Sequence, residues 1–427
     1  MEKFKIEGAH QLGGDVIISG NKNETLPVIA ACLLTEETVI LKNVPGIGDV
    51  RTMLDIVQDL GVDISEIEKN TWSITSKNLK NVEIDPEKSA TLRASILLAG
   101  PLLSRFGKVL LPPPGGDVIG RRRLDTHFLI FRKLGAEIKL NRNYDIQSDR
   151  LIGANIFLDE PSVTATENAL MAAVLAKGKT ILRNAACEPH IVGLANMLNS
   201  MGAKISGIGS NVLEIEGVPE LHGTTHTIGP DLLEVGSFIA LAAVTHSEIT
   251  LKNTNPDELY VIENTYNKLG IHFEIKQGQQ IYIPAEQSLF IKPDFAGDIP
   301  KIDDSPWPGF PTDLMSISIV AATQATGAVL IFEKMYDGRM FFVDYLIAMG
   351  ARIVLCDPHR VVVIGPSQLF GSRVQSPDIR AGMALIIAAL CAKGESTIYN
   401  VRQIDRGYEN LELKLQNIGA KIERMSD

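Results

Sequence analysis

Cysteine is scarce in this chain, and nothing about its placement suggests a crosslink or a metal. Only four occur in 427 residues, Cys32, Cys187, Cys356 and Cys391, with no C-x-x-C pair and no histidine at ligand spacing. That pattern excludes a disulfide framework and a zinc site, and reads as four thiols in a reducing compartment. Long apolar runs are missing too. The greasiest stretch, ALIIAALCA at 384–392, is far too short to span a bilayer, and the N-terminal MEKFKIEGAH has no apolar h-region. A cytoplasmic protein with no membrane partner is expected. Positive charge is in deficit, 41 Lys and Arg against 51 Asp and Glu, for a net charge of −10. This argues against nucleic acid as a partner, since non-specific affinity for it comes from clustered cations, but leaves room for a small anion in a local basic pocket. No ligand cluster or cofactor fingerprint stands out, so no metal and no organic cofactor is expected. Oligomeric state is not legible.

What the chain does have is repetition. Six times a helix-like segment ends in a glycine turn and runs into a β-branched stretch: Leu60-Gly61-Val62, Leu134-Gly135-Ala136, Met201-Gly202-Ala203, Leu269-Gly270-Ile271, Met349-Gly350-Ala351 and Ile418-Gly419-Ala420. The interval is roughly 70 residues, the mark of one unit copied six times. Each copy also holds an alanine-rich helix that is apolar nearly all round, as in ALMAAVLAKGKTILRN, followed by a strand ending in Asn or an equivalent. Such helices are buried on every face. The second helix of each copy, as in VRTMLDIVQDLG, alternates apolar and charged residues at a period near 3.6 and has one wet face. Its glycine fits the C′ position, where a left-handed backbone ends a helix.

The unit is therefore read as β-α-β-α-β, and three units close one α/β domain around three inner helices. With 45% hydrophobic residues the chain can fill two such cores. The expected domains are 22–229, carrying a Pro- and Gly-rich lid loop at 112–123, and 1–21 plus 230–427. The N-terminal strands are expected to complete the sheet of the C-terminal half. Chain crossings near residues 21 and 229 suit a hinged interdomain cleft.

A helix start is an anion site in waiting, because its first N–H groups are unpaired and its dipole is positive there. The six inner helices are expected to start at Asn21-Lys22-Asn23, Thr91-Leu92-Arg93, Thr166-Glu167-Asn168, Pro230-Asp231, Pro311-Thr312-Asp313 and Asp378-Ile379-Arg380. Three of these carry a cation. With Arg122, Arg339 and Arg406 from the loops before the outer helices, they compose a site for a small, multiply charged anion. Each arginine taken singly is equally readable as a cap or a surface ion pair. Asp313 fits an N-cap. Asp117, after three prolines and two glycines, lies in either a mobile flap or a lid over a site. His127 and His190 read as ordinary surface or core histidines, and Trp307 as loop packing.

At SGNKN (19–23), TLRAS (91–95), PGGDVIGRR (114–122), FPTD (310–313), DIRAG (378–382) and IDRGYE (404–409), the chain resembles the enolpyruvyl transferases, in order and over its whole length. The resemblance implies two inside-out α/β domains of three repeats each. It also implies phosphoenolpyruvate and UDP-N-acetylglucosamine as substrates, as in the branch of the family that starts peptidoglycan synthesis. The sugar 3-hydroxyl would add to C2 of phosphoenolpyruvate while C3 is protonated, and phosphate would then leave. Carried over motif by motif, Lys22, Arg406, Asp117 and Asp313 would be catalytic, with Asp313 taking the hydroxyl proton. Lys22, Asn23, Arg122, Arg339, Arg380 and Arg406 would hold phosphoenolpyruvate. Asn23, Arg93, Arg122, Arg123, Leu124, Asp125, Thr126, Ser162, Val163, Asp313 and Met335 would contact the nucleotide sugar.

Departures from the family pattern are specific. Asp117 stands where most members have the Cys that fosfomycin alkylates, which implies insensitivity to that antibiotic. A thiol keeps its proton at neutral pH and a carboxyl gives it up, so the exchange also changes the acid chemistry. Thr164 replaces a usual Gly, Leu232 a common Arg, Trp307 a common His and Asp337 a usual Glu, and the triple Arg121-Arg122-Arg123 replaces a single Arg. These leave two alternatives: a paralogue moving the enolpyruvyl group to another nucleotide or sugar, and a non-catalytic nucleotide-sugar sensor.

Overall fold

A computed structural model describes residues 2–79, 82–117, 119–120 and 122–426. Arg121 of the triple arginine and Val118 of the expected lid lie outside the described residues. The chain forms two compact units, one spanning 20–117 and 122–229, the other 1–19, 118–121 and 230–427. This division differs from the expected one in two respects. The first crossing falls between Ser19 and Gly20, and the tip of the 112–123 loop groups with the C-terminal unit.

In the 20–229 unit the inner helices are Lys22–Ala31, Ala99–Phe106 and Val163–Ala173. In the C-terminal unit they are Leu232–Val244, Met315–Gln324 and Ile379–Cys391. Every residue of Leu232–Val244 is buried, as its lack of any polar stripe requires. The three inner helices of the C-terminal unit pack on one another. Each unit has its own core: Phe238, Ile319 and Ile386 belong to one cluster, Ile29, Leu102 and Leu170 to the other. The third helix begins at Val163, three residues ahead of the expected Thr166, because Ser162 already takes an extended cap conformation. In the second copy the helix is interrupted, with Arg93 opening a 3-10 stretch, Arg93–Leu98, after the extended Leu92.

The outer helices end as the glycines demand. Gly61, Gly135, Gly202, Gly270, Gly350 and Gly419 all have positive φ, between 74° and 107°, the region that side-chain-bearing residues avoid. After five of the six turns the chain folds back as a hairpin, for example Asp63–Glu68 with Thr71–Thr75, and after the sixth Lys421–Met425 pairs with Lys3–Glu7 instead. A copy is therefore β-α-β-α-β-β, one strand longer than expected. Five of the six sheets have four strands, and the second copy keeps three, Lys108–Leu111, Tyr144–Gln147 and Glu137–Leu140, with an isolated bridge from Glu83 to Leu110.

Strand exchange ties the ends of the chain into these sheets. Gly13–Ile17 pairs parallel with Glu248–Lys252, while Thr225–Thr227 pairs parallel with Val39–Lys42. Lys3–Glu7 sits between Glu395–Tyr399 and Lys421–Met425, antiparallel to both. The N-terminal strands thus complete sheets of the C-terminal half.

A further regularity follows the inner helices. Asn43, Asn184, Asn253 and Asn400 end the next strand with φ of 57–60°. Each donates its side-chain amide to a backbone carbonyl, of Ile228, Leu158, Ile18 and Ser376 respectively. Asn tolerates the left-handed region better than other side-chain-bearing residues. The corresponding positions in the second and fifth copies are Pro112 and Glu333, and both lie beside candidate site residues.

Candidate active site

In the 20–229 unit the first helix start is built by Asn21. Its side-chain oxygen accepts from the N–H groups of Asn23 and Glu24, the capping bond expected of Asn at this position. That places Lys22 and Asn23 in the first turn. The Lys22 ammonium lies 3.0 Å from a carboxylate oxygen of Asp49, which is itself buried.

Arg93 organises the loop. Its Nη2 donates to the carbonyls of Arg122 and Arg123, at 2.7 and 3.1 Å. Gly115 donates its N–H to the Ser89 carbonyl, and a Cβ there would collide with the Ala90 carbonyl. Gly116 has a φ of 104° against the Arg93 side chain. The PPPGG run therefore lies flat along 89–93, delivering a half-buried Asp117 at its end. Arg122 is also half-buried, and Arg123 is exposed and paired with Asp125 at 2.7 Å. Leu124 occupies the N-cap position of the next helix, Asp125–Lys133. Thr126 donates to Asp159 at 2.8 Å, and Ser162 and Val163 open the third inner helix.

Thr164 finds an internal explanation. Its hydroxyl lies 3.1 Å from Nε2 of His127, whose Nδ1 faces the Asn168 amide at 3.0 Å. His127 is a buried core histidine, held neutral by burial with Arg93 adding to the effect, its pKa pushed down to about 3. His190 is also buried, 4.0 Å from Glu167. Burial, then the nearby Glu188, raises Glu167 well above the usual carboxyl range.

In the C-terminal unit Asp313 is not the helix cap. Pro311 takes that position, and Asp313 lies within the 3-10 turn Thr312–Leu314. Its carboxylate is clamped by two arginines, Oδ1 by Arg339 Nη2 at 2.8 Å and Oδ2 by Arg380 Nε at 3.1 Å. Both arginines are about 3% exposed. Burial opposes the charge on Arg380, but Tyr408, Asp313 and Asp231 outweigh it and keep the guanidinium protonated. Arg339 is treated likewise, with Asp313 and Glu333 outweighing burial. Nη1 and Nη2 of Arg380 are buried with no acceptor among the described residues. A buried donor left unmatched costs about 1–3 kcal/mol, so this guanidinium face is suited to an incoming anion. Asp378 caps the helix that carries Arg380, accepting from the N–H groups of Arg380 and Ala381.

Arg406 closes the short turn Arg402–Asp405 and donates to Gln403 at 2.8 Å. Met335 and Asp337 are exposed. Next to them Gly338 donates its N–H to Ile119 of the loop tip at 3.0 Å. Trp307 packs against the core, and Leu232 is the first, buried residue of its helix.

Two buried carboxyls near Arg339 went unnoticed in the sequence. Glu333 sits against Thr312 and Arg339, and Asp304 lies beside it. The signal for Glu333 was present, a Glu where four other copies have Asn. Among the described residues no cluster of three or more metal-ligating side chains occurs, and no helix is long and apolar enough to cross a membrane.

Comparison with known proteins places this geometry. Residues 6–415 match the family described as EPSP synthase (3-phosphoshikimate 1-carboxyvinyltransferase). The chain is 56% identical over 426 residues to the UDP-N-acetylglucosamine 1-carboxyvinyltransferase of Borreliella burgdorferi, covering 100% of this chain and 99% of that one. It is 55% identical to the protein of the same name from Treponema denticola, covering 99% of each. Among solved structures, the enolpyruvyl transferase NikO from Streptomyces tendae superposes with a TM-score of 0.87 at 22% identity, over 100% of this chain and 99% of that one. An EPSP synthase from Acinetobacter baumannii gives 0.77 at 18%, over all of both chains. Those two likenesses concern the fold. With the family profile spanning nearly the whole chain and more than half of its residues shared with full-length relatives, the chain belongs to the EPSP synthase family of carboxyvinyl transferases.

Proposed function

We propose that the chain is a cytoplasmic UDP-N-acetylglucosamine 1-carboxyvinyltransferase, which moves the enolpyruvyl group of phosphoenolpyruvate to the sugar 3-hydroxyl and releases phosphate. The observation that carries the reading is the Asp313 carboxylate held between the buried Arg339 and Arg380, in a chain so closely related to proteins of that name. Two flanking guanidinium groups fix the direction of the Asp313 carboxylate, which a base needs in order to take the 3-hydroxyl proton. As that proton leaves, the sugar oxygen bonds to C2 of phosphoenolpyruvate and a proton is added to C3. In the second step the C2–O bond to phosphate breaks, C3 loses a proton, and the double bond reforms as an enol ether.

Negative charge on the phosphoryl and carboxylate groups requires fixed cations. Lys22, Arg122 and Arg406 neutralise the phosphoryl group, with Asn23 beside Lys22, and Arg339 and Arg380 receive the carboxylate. Asp117 supplies the proton to C3. Arg93, the run Arg122–Thr126, Ser162, Val163 and Met335 contact the nucleotide sugar. With no thiol at position 117, the enzyme is insensitive to fosfomycin.

Phosphate release from phosphoenolpyruvate, measured against a panel of nucleotide sugars, tests the assignment. Release with UDP-N-acetylglucosamine alone is the expected outcome. Release only with a different acceptor would make the chain a paralogue, and binding of the nucleotide sugar without release would make it a sensor.

A further inference from the structure

We propose that Glu333 keeps its carboxyl proton at neutral pH and donates it to the buried Asp304, and that this shared proton makes Asp304 a positioning residue for Arg339 and, through Arg339, for Asp313. The positioning role rests on the function proposed above, whereas the shared proton does not.

Glu333 stands where four copies place an asparagine whose amide donates to a backbone carbonyl. A carboxylate cannot make that donation, and here the polarity is reversed. Glu333 Oε1 accepts from the N–H groups of Met335 and Tyr336, each at 3.0 Å, and both carboxylate oxygens face the Thr312 hydroxyl, at 3.0 and 2.9 Å. Asp304 is equally enclosed, with no exposed surface. Its Oδ1 accepts the Lys334 N–H at 2.6 Å, but its Oδ2 meets no donor among the described residues. The group beside it is the Glu333 carboxyl.

Two ionised carboxylates cannot comfortably share a dry site, and a single proton turns their repulsion into a hydrogen bond. Burial, followed by the Asp304 carboxyl, raises Glu333 above the ordinary carboxyl range, against the pull of Arg339. The other charged and titratable groups around the pair leave that balance in place. Lys334 sends its ammonium to Asp303 at 2.8 Å, and the His359 ring meets the Glu333 backbone carbonyl, also at 2.8 Å. Asp313 and Asp378 act on Arg339 from its other side.

Arg339 is thus the cation that senses the pair's charge. Its Nη2 is 2.8 Å from Asp313, while its Nε stands off Glu333 Oε2 at 3.6 Å. With one negative charge on the pair, the arginine stays with Asp313. With two, it is drawn toward Glu333 and releases Asp313.

Asp304→Asn and Glu333→Gln each replace the shared proton with an amide N–H while keeping a single negative charge, so either variant serves if the other fails to fold. Infrared difference spectra, wild type minus each variant without substrate, should show a protonated-carboxyl band at neutral pH that disappears at alkaline pH, the contribution of the buried Glu167 cancelling between the proteins. Difference spectra with no protonated-carboxyl band for either variant would overturn the shared proton. In phosphate-release assays the alkaline fall in kcat should move upward by about one pH unit or more in the variants, roughly a tenfold difference on that limb, with KM for phosphoenolpyruvate less affected. Alkaline limbs that coincide with the wild type would overturn the positioning role. The infrared result does not depend on activity, so it decides the shared proton even if no acceptor supports turnover.

Discussion

In the function proposed above, Asp117 is both the acid and the reason for fosfomycin insensitivity. A general acid contributes roughly 10²–10⁴ in rate, so Asp117→Asn should lower kcat by about that factor. Asp117→Cys should retain turnover and gain inactivation by fosfomycin. Both follow from phosphate release measured with and without the antibiotic, and an Asn variant as fast as the wild type would remove Asp117 from the acid role. Residues of this kind stand out in the sequence as candidates because their motifs are short and chemically distinctive: a lone Asp after PPPGG, an FPTD turn, an arginine two residues into a helix. Asp304 and Glu333 do not, since a buried carboxyl reveals itself only when its neighbours are known, and those neighbours come from Thr312 and Arg339, distant in sequence. Thr164 taught the opposite lesson. It stands out in the sequence as a departure from the family pattern, and the structure gives its hydroxyl a partner in His127.

At the scale of elements, the outer helices ended where the glycines implied, because a left-handed residue is a local requirement that tertiary packing does not override. The hairpin after five of the turns was missed for the converse reason. Strands as short as Lys204–Ser206 carry too few alternating residues to declare themselves, and are defined only by their partner. The six glycines are not equivalent in cost. Gly419, with φ 94°, has open space around a notional Cβ, while at Gly270 a Cβ would come within 2.5 Å of the Phe290 nitrogen. Gly419→Ala should therefore cost only the backbone penalty, about 1–2 kcal/mol, and Gly270→Ala measurably more. Denaturant unfolding of the two variants tests the ordering, and equal losses would show that the contact at Phe290 relaxes freely.

For the molecule as a whole, the repeat count gave both the number of copies and their grouping by threes, since three all-apolar helices suffice to fill one core. The position of the loop tip was beyond reach, because which unit a loop tip joins depends on packing that no local pattern encodes. Two separate cores imply two cooperative units rather than one. Truncating Phe238, wholly buried in the C-terminal core, should cost about 3–5 kcal/mol and lower one calorimetric transition while leaving the other in place. Leu170→Ala, in the other core, should do the reverse. A single transition that shifts equally in both variants would mean the units unfold together.

The strand Lys3–Glu7, enclosed between Glu395–Tyr399 and Lys421–Met425, has a consequence for biosynthesis. It leaves the ribosome about 390 residues ahead of the first of these neighbours. At about 5–20 residues per second its first partner follows roughly 20–80 s later, and until then a strand with apolar Phe4 and Ile6 waits unpaired. Residues 20–229 need nothing from beyond Gly229 to close their own sheets, so in the nascent chain that unit can mature while Lys3–Glu7 still waits.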